Sequence, residues 1–473
     1  MVDGRELAAQ FENAADFETR KVLCGGQLLT VLFLDGLTSG GDIAEQVVRP
    51  LAQMTDEARE EVLYTRALQG GVWCASVKEP ESTQQAAELL VNGFCVILFP
   101  KSGKALGCEV TTGDKPSPSP PETENTVKGA KDAFTETLRT NTSLVRRHLR
   151  TPGLRLTETV IGKRTLTKVT VCWIDRLTDP KLTRRMQERL SSIDIDGALS
   201  PAAIEEYVTG SRRTAFPLLE YTERTDHFCQ GLLDGQVGLL ADGLPLGYLA
   251  PVGLGRLMRS PEDRATDFFS ASMLRLLRYA ALGVSLLLPA LYAAMAMFHQ
   301  QMLPTKLLLS IIESKQNVPF STLLEVLGLL CAFELLQQAG LHLPQAVGTA
   351  VSIIGGLVVG TAAVDAKLVS PAALIVTASS GICGFTLPNR ELSDAVRLWR
   401  FVLTVLAGLW GLFGVTVGLL LLLTELAGLE SLGRSYLSPF GRAEVKGALV
   451  RPRLVRQKWR DGALKPMDDQ NQR

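Results

Sequence analysis

The hydrophobic and polar positions divide the chain into two halves. Up to about residue 278, charged and apolar residues are mixed as they are in globular domains. Beyond this point charge becomes sparse, and several uncharged stretches approach the length of roughly 20 residues that a helix needs to cross a membrane. The pattern predicts four membrane-spanning helices, at residues 279–298, 346–364, 368–385 and 401–423.

A fifth apolar segment, residues 322–340, contains two carboxylates. Glu325 and Glu334 predict either a further span beside a polar cavity or a helix at the membrane surface with both side chains hydrated. They are nine positions apart, so they point to roughly opposite sides of a straight helix. We therefore expect that they do not both face one pore.

Basic residues beside these stretches predict the orientation. Arg275 and Arg278 precede the first span and place the N-terminal half in the cytoplasm. A basic tail favours a cytoplasmic C-terminus and an even number of spans, whereas Arg397 and Arg400 before the last span favour an odd number. The tail either binds anionic membrane lipid at about 1 kcal/mol per residue or only fixes the topology. Its basic residues are Arg442, Lys446, Arg451, Arg453, Arg456, Lys458 and Arg460.

The first half contains an internal repeat. Residues 34–38 (LDGLT) match 174–178 (IDRLT), and residues 90–93 (LVNG) match 232–235 (LLDG), at nearly constant offset. Each copy predicts a strand, helices and a hairpin. The fold class predicted is a duplicated α/β N-terminal domain followed by an α-helical transmembrane domain. The predicted boundaries are residues 1–115 and 116–270 for the two α/β subdomains, 271–430 for four to six spans and 431–473 for the tail.

Small residues recur at every fourth position within 346–364. Such a stripe lets two helices approach closely in lipid, where packing drives their association. It predicts either a tightly packed oligomer around a pore or ordinary packing within one subunit. The stripe consists of Gly348, Ser352, Gly356 and Gly360, and Val359 belongs to the apolar wall beside it.

Composition argues against several classes of function. The 49 basic and 49 acidic residues balance, so no basic excess indicates a nucleic-acid partner. The four histidines form no HExxH motif, and neither a phosphate loop nor a nucleophile elbow is present. We expect no catalytic, cofactor-binding or metal site, and therefore no enzyme.

Several short blocks of sequence are distinctive. They are residues 129–134 (GAKDAF), 138–142 (LRTNT), 144–147 (LVRR), 222–226 (TERTD), 318–320 (VPF) and 352–360 (SIIGGLVVG). In this order the blocks resemble the A-type subunits of the GerA family of spore germinant receptors, or a close sporulation paralogue, over nearly the whole chain. Intramembrane charge departs from the family pattern, because Leu330 and the pair Gln337 and Gln338 stand where members commonly carry charged residues.

The resemblance implies a role in endospore germination. It implies a multi-pass protein of the spore inner membrane, with its N-terminal half in the cytoplasm. The expected partners are further copies of the chain, a transporter-like B-type subunit and a C-type lipoprotein, and the expected activity is an oligomeric gated ion channel that responds to a nutrient. The alternative is a sporulation accessory paralogue that acts as a membrane scaffold without sensing a nutrient.

Two polar clusters in the first half are candidates for subunit contacts. The first lies in a polar helical stretch whose charge pattern favours a solvated face, and the family match leaves pairing with acids of a neighbouring subunit as an equal alternative. The second is either a structural ion-pair knot or an interdomain contact. The first cluster comprises Asp132, Arg139, Asn141, Arg146 and Arg147, and the second comprises Glu223, Arg224 and Asp226.

Overall fold

A computed structural model of the protein describes most of the chain. The described residues are 2–54, 59–110, 120–342 and 360–438, apart from 125, 127, 199, 211, 212 and 317, together with 440, 447, 449–453, 455, 459, 460, 462, 464 and 466–471. Of the predicted small-residue stripe, only Gly360 is described. The members outside the described residues are Gly348, Ser352, Gly356 and Val359, as are Arg442, Lys446, Arg456 and Lys458 of the tail.

The first α/β subdomain is built on an antiparallel sheet of five strands. The strands are β1 (Phe17–Cys24), β2 (Gln27–Leu34), β3 (Val77–Lys78), β4 (Phe94–Phe99) and β5 (Lys104–Glu109), in the spatial order β1-β2-β4-β5-β3. Its helices are α1 (Gly4–Gln10), α2 (Gly40–Asp42), α3 (Arg49–Gln53), α4 (Glu60–Arg66) and α5 (Thr83–Val91), with π-helical turns at Ile43–Val48 and Ala67–Gly71.

The central strand β4 is apolar throughout because both faces of the sheet are covered. Cys95, Ile97 and Phe99 pack on one side, into a core with residues of α3 and α4. Val96 and Leu98 alternate to the other side, into a core with α1 and α5. A continuous apolar strand is therefore expected here, in place of the alternation of a half-exposed one.

The second α/β subdomain repeats this arrangement. The strands are β6 (Leu154–Ile161), β7 (Thr167–Ile174), β8 (Glu220–Thr222), β9 (Val237–Ala241) and β10 (Gly247–Ala250), in the order β6-β7-β9-β10-β8. Its helices are α6 (Leu138–His148), α7 (Pro180–Ser191), α8 (Pro201–Thr209) and α9 (Thr225–Leu233). In both sheets the spatial order is first, second, fourth, fifth and third strand, so the predicted duplication is confirmed.

The repeat extends to the backbone conformation of its matched motifs. Gly93 and Gly235, which end the two matched turns, have φ values of 86° and 97°. Gly36 has a φ of 87°, and its counterpart in the second motif, Arg176, has a φ of 60° although it carries a Cβ atom. The two copies therefore share turns in which one residue has the left-handed backbone conformation. This shared requirement explains why these short motifs are recognisable in the sequence.

The chain then enters its helical part through two short helices, α10 (Leu254–Leu257) and α11 (Glu262–Ala265). Among the residues that the structure describes, three helices are long and apolar enough to cross a membrane, at Phe268–Met297, Thr322–Gly340 and Arg390–Gly428, and a shorter apolar helix lies at Pro371–Phe385. The long helices of this part are α12 (Phe268–Met297), α13 (Thr305–Lys315), α14 (Thr322–His342), α15 (Pro371–Phe385) and α16 (Arg390–Gly428).

Helix α16 folds back on itself at Gly411. This residue has φ 63° and ψ −142°, a backbone region open essentially to glycine alone. Beyond it Gly414 lies against the Leu406 backbone and Gly418 against the Leu403 side chain. A straight helix would separate residues 403 and 418 by about 22 Å along its axis. The prediction of one straight span at 401–423 is therefore wrong, and this segment forms a helical hairpin with arms at 390–410 and 412–428.

After the helical hairpin the chain returns to the second α/β subdomain. A small pair of strands, β11 (Glu430–Ser431) and β12 (Arg434–Ser435), follows α16. The Ser431 hydroxyl donates to the Leu218 carbonyl at 2.6 Å, and Arg434 contacts Asp179 of the second subdomain at 2.7 Å. The chain therefore leaves the helical part next to the second α/β subdomain.

Candidate functional site in the helical part

A chain of buried polar groups joins three helices. Pro289 within α12 has no N–H, so the carbonyl of Ser285, four residues earlier, lacks its helical donor. The Ser380 hydroxyl of α15 donates to this carbonyl at 2.7 Å. Nη1 of Arg400 in α16 donates in turn to Ser380 Oγ at 3.1 Å. The carbonyl that Pro289 leaves open therefore ties α15 and, through it, Arg400 to α12.

Arg400 is the most deeply buried charge of this region, with a relative exposure of 0 %. Its Nε and Nη2 atoms have no hydrogen-bond partner among the described residues. Ionisable side chains at membrane depth are costly, and they commonly face a bundle interior or a water-filled cavity. The sequence indicated Arg400 only as a topology signal. Arg400 follows Arg397 by three residues, so the two side chains lie on one face of a helix. This spacing was the one feature of the sequence that indicated a polar site containing both arginines.

The two intramembrane carboxylates predicted from sequence bind different partners. Glu334 accepts a hydrogen bond from Nη1 of Arg397 at 2.9 Å. Glu325 is buried and accepts the backbone N–H of Ser370, the N-cap residue of α15, while its second oxygen lies 3.5 Å from Nζ of Lys315. A carboxylate is favoured at this place by the dipole of the helix N-terminus. The two carboxylates do not form one site.

Replacing Ser380 with alanine is expected to weaken the helical part by about 1–2 kcal/mol, because the Ser285 carbonyl and Arg400 both lose their described partner. Thermal unfolding of the full chain in detergent measures the loss. In a Pro289→Ala background the helix regains an N–H for Ser285, so the same substitution should cost less. Equal losses in both backgrounds would contradict the role assigned to Pro289.

The first polar cluster of the N-terminal half lies largely inside the chain. Arg146 forms a bidentate ion pair with Asp16 of the first subdomain at 2.7 and 2.8 Å, and both side chains are 1 % exposed. Asn141 is fully buried, and its carbonyl accepts the backbone N–H of residue 135 at 2.8 Å. Arg139 pairs with Glu158 at 2.7 Å. Arg147 is exposed, and it is the member of the cluster most open to another subunit.

Asp132 belongs to a hydrogen-bonded group beside α9. It accepts hydrogen bonds from the Thr225 hydroxyl at 2.6 Å and from Nε2 of His148 at 2.7 Å. The bond from His148, helped by Thr225, lowers the pKa of Asp132 to about 2 against the effect of burial. The same bond to the carboxylate raises the pKa of His148. Asp132 therefore holds α6 and α9 together as a carboxylate.

The second polar cluster holds the segment after residue 119 against the sheet. Arg224 is 2 % exposed, and its Nη2 donates to Asp226 at 2.7 Å while Nη1 donates to the Thr126 hydroxyl at 2.6 Å. Glu223 accepts the hydroxyl of Thr123 at 2.8 Å. These contacts have the form of the ion-pair knot that the sequence left as one of two alternatives.

A network of charges that the sequence did not indicate lies near the start of the helical part. Arg256 donates to Glu220 at 2.7 Å and to Asp234 at 2.9 Å, and His227 contacts Glu220 at 2.9 Å. Burial alone would raise the pKa of Glu220, but the Arg256 and His227 charges lower it to about 2. Because these partners come from separate elements, no local motif encodes them.

A second carboxylate fixes the first membrane helix. Asp263 of α11 lies 3.1 Å from Nη2 of Arg275 and 2.8 Å from Nη1 of Arg278, both at the start of α12. The two arginines that predicted the orientation are therefore also bound to the short helix that precedes α12.

The fold and the buried polar groups define a membrane protein with a duplicated α/β domain and a helical part that carries ionisable side chains. Within the described ranges, no group of three or more His, Cys, Asp or Glu side chains could hold a metal ion. The chain belongs to the Bacillus/Clostridium GerA spore germination protein family, whose family model matches residues 5–466.

Relatives over most of the chain support this membership. The chain is 36% identical over 439 residues to the uncharacterized membrane protein YfkQ of Bacillus subtilis (strain 168), covering 92% of this chain and 84% of that protein. It is 33% identical over 456 residues to spore germination protein KA of the same organism, covering 94% and 83%. Spore germination protein A1 of the same organism is 31% identical over 437 residues, with coverage of 92% and 89%. The two spore germination proteins among these relatives support a role of the germinant-receptor type.

One solved structure is similar to the N-terminal half. It is the crystal structure of the N-terminal domain of the A subunit of the Bacillus megaterium spore germinant receptor GerK3, with 24% sequence identity and a TM-score of 0.41. The match covers 52% of this chain and 92% of that one.

Proposed function

We propose that the chain is the A-type membrane subunit of a nutrient germinant receptor that triggers endospore germination. Membership of the GerA family and the candidate membrane helices support this function. In this proposal the protein lies in the spore inner membrane, with its N-terminal half and its tail in the cytoplasm. The α/β subdomains at 1–115 and 116–270, the helices at 271–430 and the tail at 431–473 act as its four units.

Several copies of the chain assemble around an ion path. The observation that carries this step is Arg400, which is fully buried in the helical part with two guanidinium nitrogens that have no partner among the described residues. Glu334, paired with Arg397, and Glu325, paired with Lys315, add further charge to the helical part outside the Arg400 contact. In the proposal, the stripe that includes Gly356 and Gly360 packs one helix against the next copy.

The proposal includes the further partners that the family resemblance implies. A transporter-like B-type subunit and a C-type lipoprotein complete the receptor, and membrane lipid contacts the basic tail. On the α/β domain, exposed Arg147 and the partly exposed Glu223 and Asp226 are the proposed points of contact between subunits. The buried members of the two clusters, Arg146 and Arg224, position those contacts from within.

Reconstitution of the full chain in liposomes tests the ion path. Wild-type protein is expected to conduct ions, and Arg400→Met is expected to raise the ratio of cation to anion flux by at least tenfold, because a ring of arginine side chains favours anions. Lys367→Met, which removes an exposed cation of the same region, is the matched control and should leave the ratio unchanged.

An assembly measurement separates the channel from the alternative, a membrane scaffold that does not sense nutrients. Gly356→Leu is expected to reduce recovery of the oligomer in detergent and to abolish ion flux together. If wild-type protein assembles but conducts no ions with its partner subunits present, the scaffold function is favoured.

A further inference from the structure

A cavity of about 410 Å³ lies where the second α/β subdomain meets the start of α16. Helix α8, the loop that follows it and strands β8 and β10 contribute one wall, while Glu391 and Asp394 of α16 contribute the other. Cavities that bind small molecules commonly have volumes of about 300–1,000 Å³. This one is therefore large enough for a small ligand, and the α/β domain and the helical part share it.

The cavity is strongly acidic. Its lining contains four carboxylates, and no lysine or arginine is among the described lining residues. Asp394 is paired with Arg397, but Glu205, Glu206 and Glu391 have no ion-pair partner within the described part of the chain. Glu205 and Glu391 are close enough for their charges to repel each other. Burial, together with the neighbouring charge of Glu206, raises the pKa of Glu205. The cavity thus brings together several carboxylates that have no cationic partner among its described lining residues.

A buried hydroxyl without a close hydrogen-bond partner also lines the cavity. Tyr248 lines the cavity and is 1 % exposed, and its hydroxyl makes no hydrogen bond of normal geometry with any described residue, although Glu205 lies nearby. Burial raises the pKa of this hydroxyl, so it is present as a neutral donor. Buried polar groups without a partner are rare, and a ligand or ordered water commonly satisfies them.

The apolar part of the lining distinguishes between kinds of cation. Tyr221 and Phe216 present aromatic rings beside the carboxylates, and Pro217 and Leu219 complete an apolar surface. Ammonium and guanidinium groups bind well between carboxylates and aromatic faces. A bare metal ion would instead need several converging oxygen ligands and no apolar wall.

From this geometry we infer that the cavity binds a small organic cation, a protonated amine or a guanidinium compound, between Glu205 and Glu391 with Tyr248 as a further hydrogen-bonding group. The ligand bridges the α/β domain and the helical hairpin. Its binding stabilises the arrangement of these two parts, because it neutralises carboxylates that otherwise repel across their boundary. The inference concerns binding and holds whether or not the protein conducts ions.

Calorimetric titration of the full chain in lipid nanodiscs tests the inference. The probes are n-butylammonium, n-butylguanidinium and agmatine, and n-butylurea serves as the neutral isostere of the guanidinium compound. At least one cation is expected to bind, at least tenfold more tightly than n-butylurea. Glu205→Gln and Glu391→Gln are each expected to weaken that binding at least tenfold, and Tyr248→Phe about threefold. Glu188→Gln, an exposed carboxylate on α7, is the matched control and should change nothing.

Thermal unfolding separates loss of binding from loss of fold. Glu205→Gln relieves repulsion, so this variant should unfold at the same temperature as wild type or higher while it loses the ligand. The inference is overturned if none of the cations binds, if n-butylurea binds equally well, or if only KCl or CaCl2 binds. It is also overturned if a cation binds to an Arg212→Ala variant but not to wild-type protein. In that case the guanidinium group of Arg212 would be the occupant of the cavity.

Discussion

An Asp16→Asn substitution is expected to destabilise the N-terminal half by about 3–5 kcal/mol, because it leaves the Arg146 guanidinium buried without its counter-charge. The two side chains are each 1 % exposed and meet through two hydrogen bonds of 2.7 and 2.8 Å. They join the two subdomains across 130 residues of sequence. Next to them the N–H of Ala15 donates to the carbonyl of Leu156 in β6 at 2.8 Å. The ion pair therefore lies where the first subdomain contacts the sheet of the second.

Urea unfolding of the full chain, followed by hydrogen exchange of β6 and β7, measures this effect. The double variant Asp16→Leu with Arg146→Met should recover most of the loss, since an apolar pair of similar volume replaces both charges. Asp194→Asn is the matched control: its ion pair with Lys163 is 73 % and 68 % exposed, and such pairs contribute less than about 1 kcal/mol. A loss below that value for Asp16→Asn would show that water reaches the pair.

The sequence predicted the architecture of the N-terminal half well, because its signals are local. The matched turns at Gly93 and Gly235 need residues that accept positive φ, and such positions leave short motifs that survive duplication. The partner of Arg146 was not predictable in the same way. A polar helix face shows that the charge of Arg146 needs a partner. Asp16 lies in another subdomain, however, and no local pattern connects it to Arg146.

In the helical part, hydropathy predicted where apolar helices lie but not how they fold. A straight span and a helical hairpin are equally apolar, so the uncharged run 401–423 carried no sign of the turn except its glycines. Arg400 was visible only as a basic residue beside that run. Its contact with Ser380 depends on α15 lying against α16, which periodicity does not encode. Long-range packing therefore decided both features.

A Gly411→Ala substitution is expected to destabilise the helical hairpin by about 2–4 kcal/mol. The residue has a positive φ that an alanine adopts only with strain, and an added Cβ would lie 2.8 Å from His299 Cε1 and 3.0 Å from Phe298 Cβ. Gly414→Ala should have a similar effect, because its Cβ would overlap the Leu406 carbonyl, which is backbone and cannot move aside. Gly283→Ala in α12 is the matched control: no atom lies within 4 Å of its added Cβ, so it should be neutral or stabilising by up to about 1 kcal/mol.

Thermal unfolding in detergent measures these differences, and labelling of introduced cysteines tests the hairpin itself. Exposed positions 386 and 428 flank the two arms. Because the chain reverses at Gly411, a membrane-impermeant maleimide should label Thr386→Cys and Gly428→Cys from the same side of the membrane, after subtraction of the native thiols. A single span between these positions would place them on opposite sides. Labelling from opposite sides, with Gly411→Ala as stable as Gly283→Ala, would show that α16 crosses the membrane once, and Arg400 would then lie on a helix with a different partner surface.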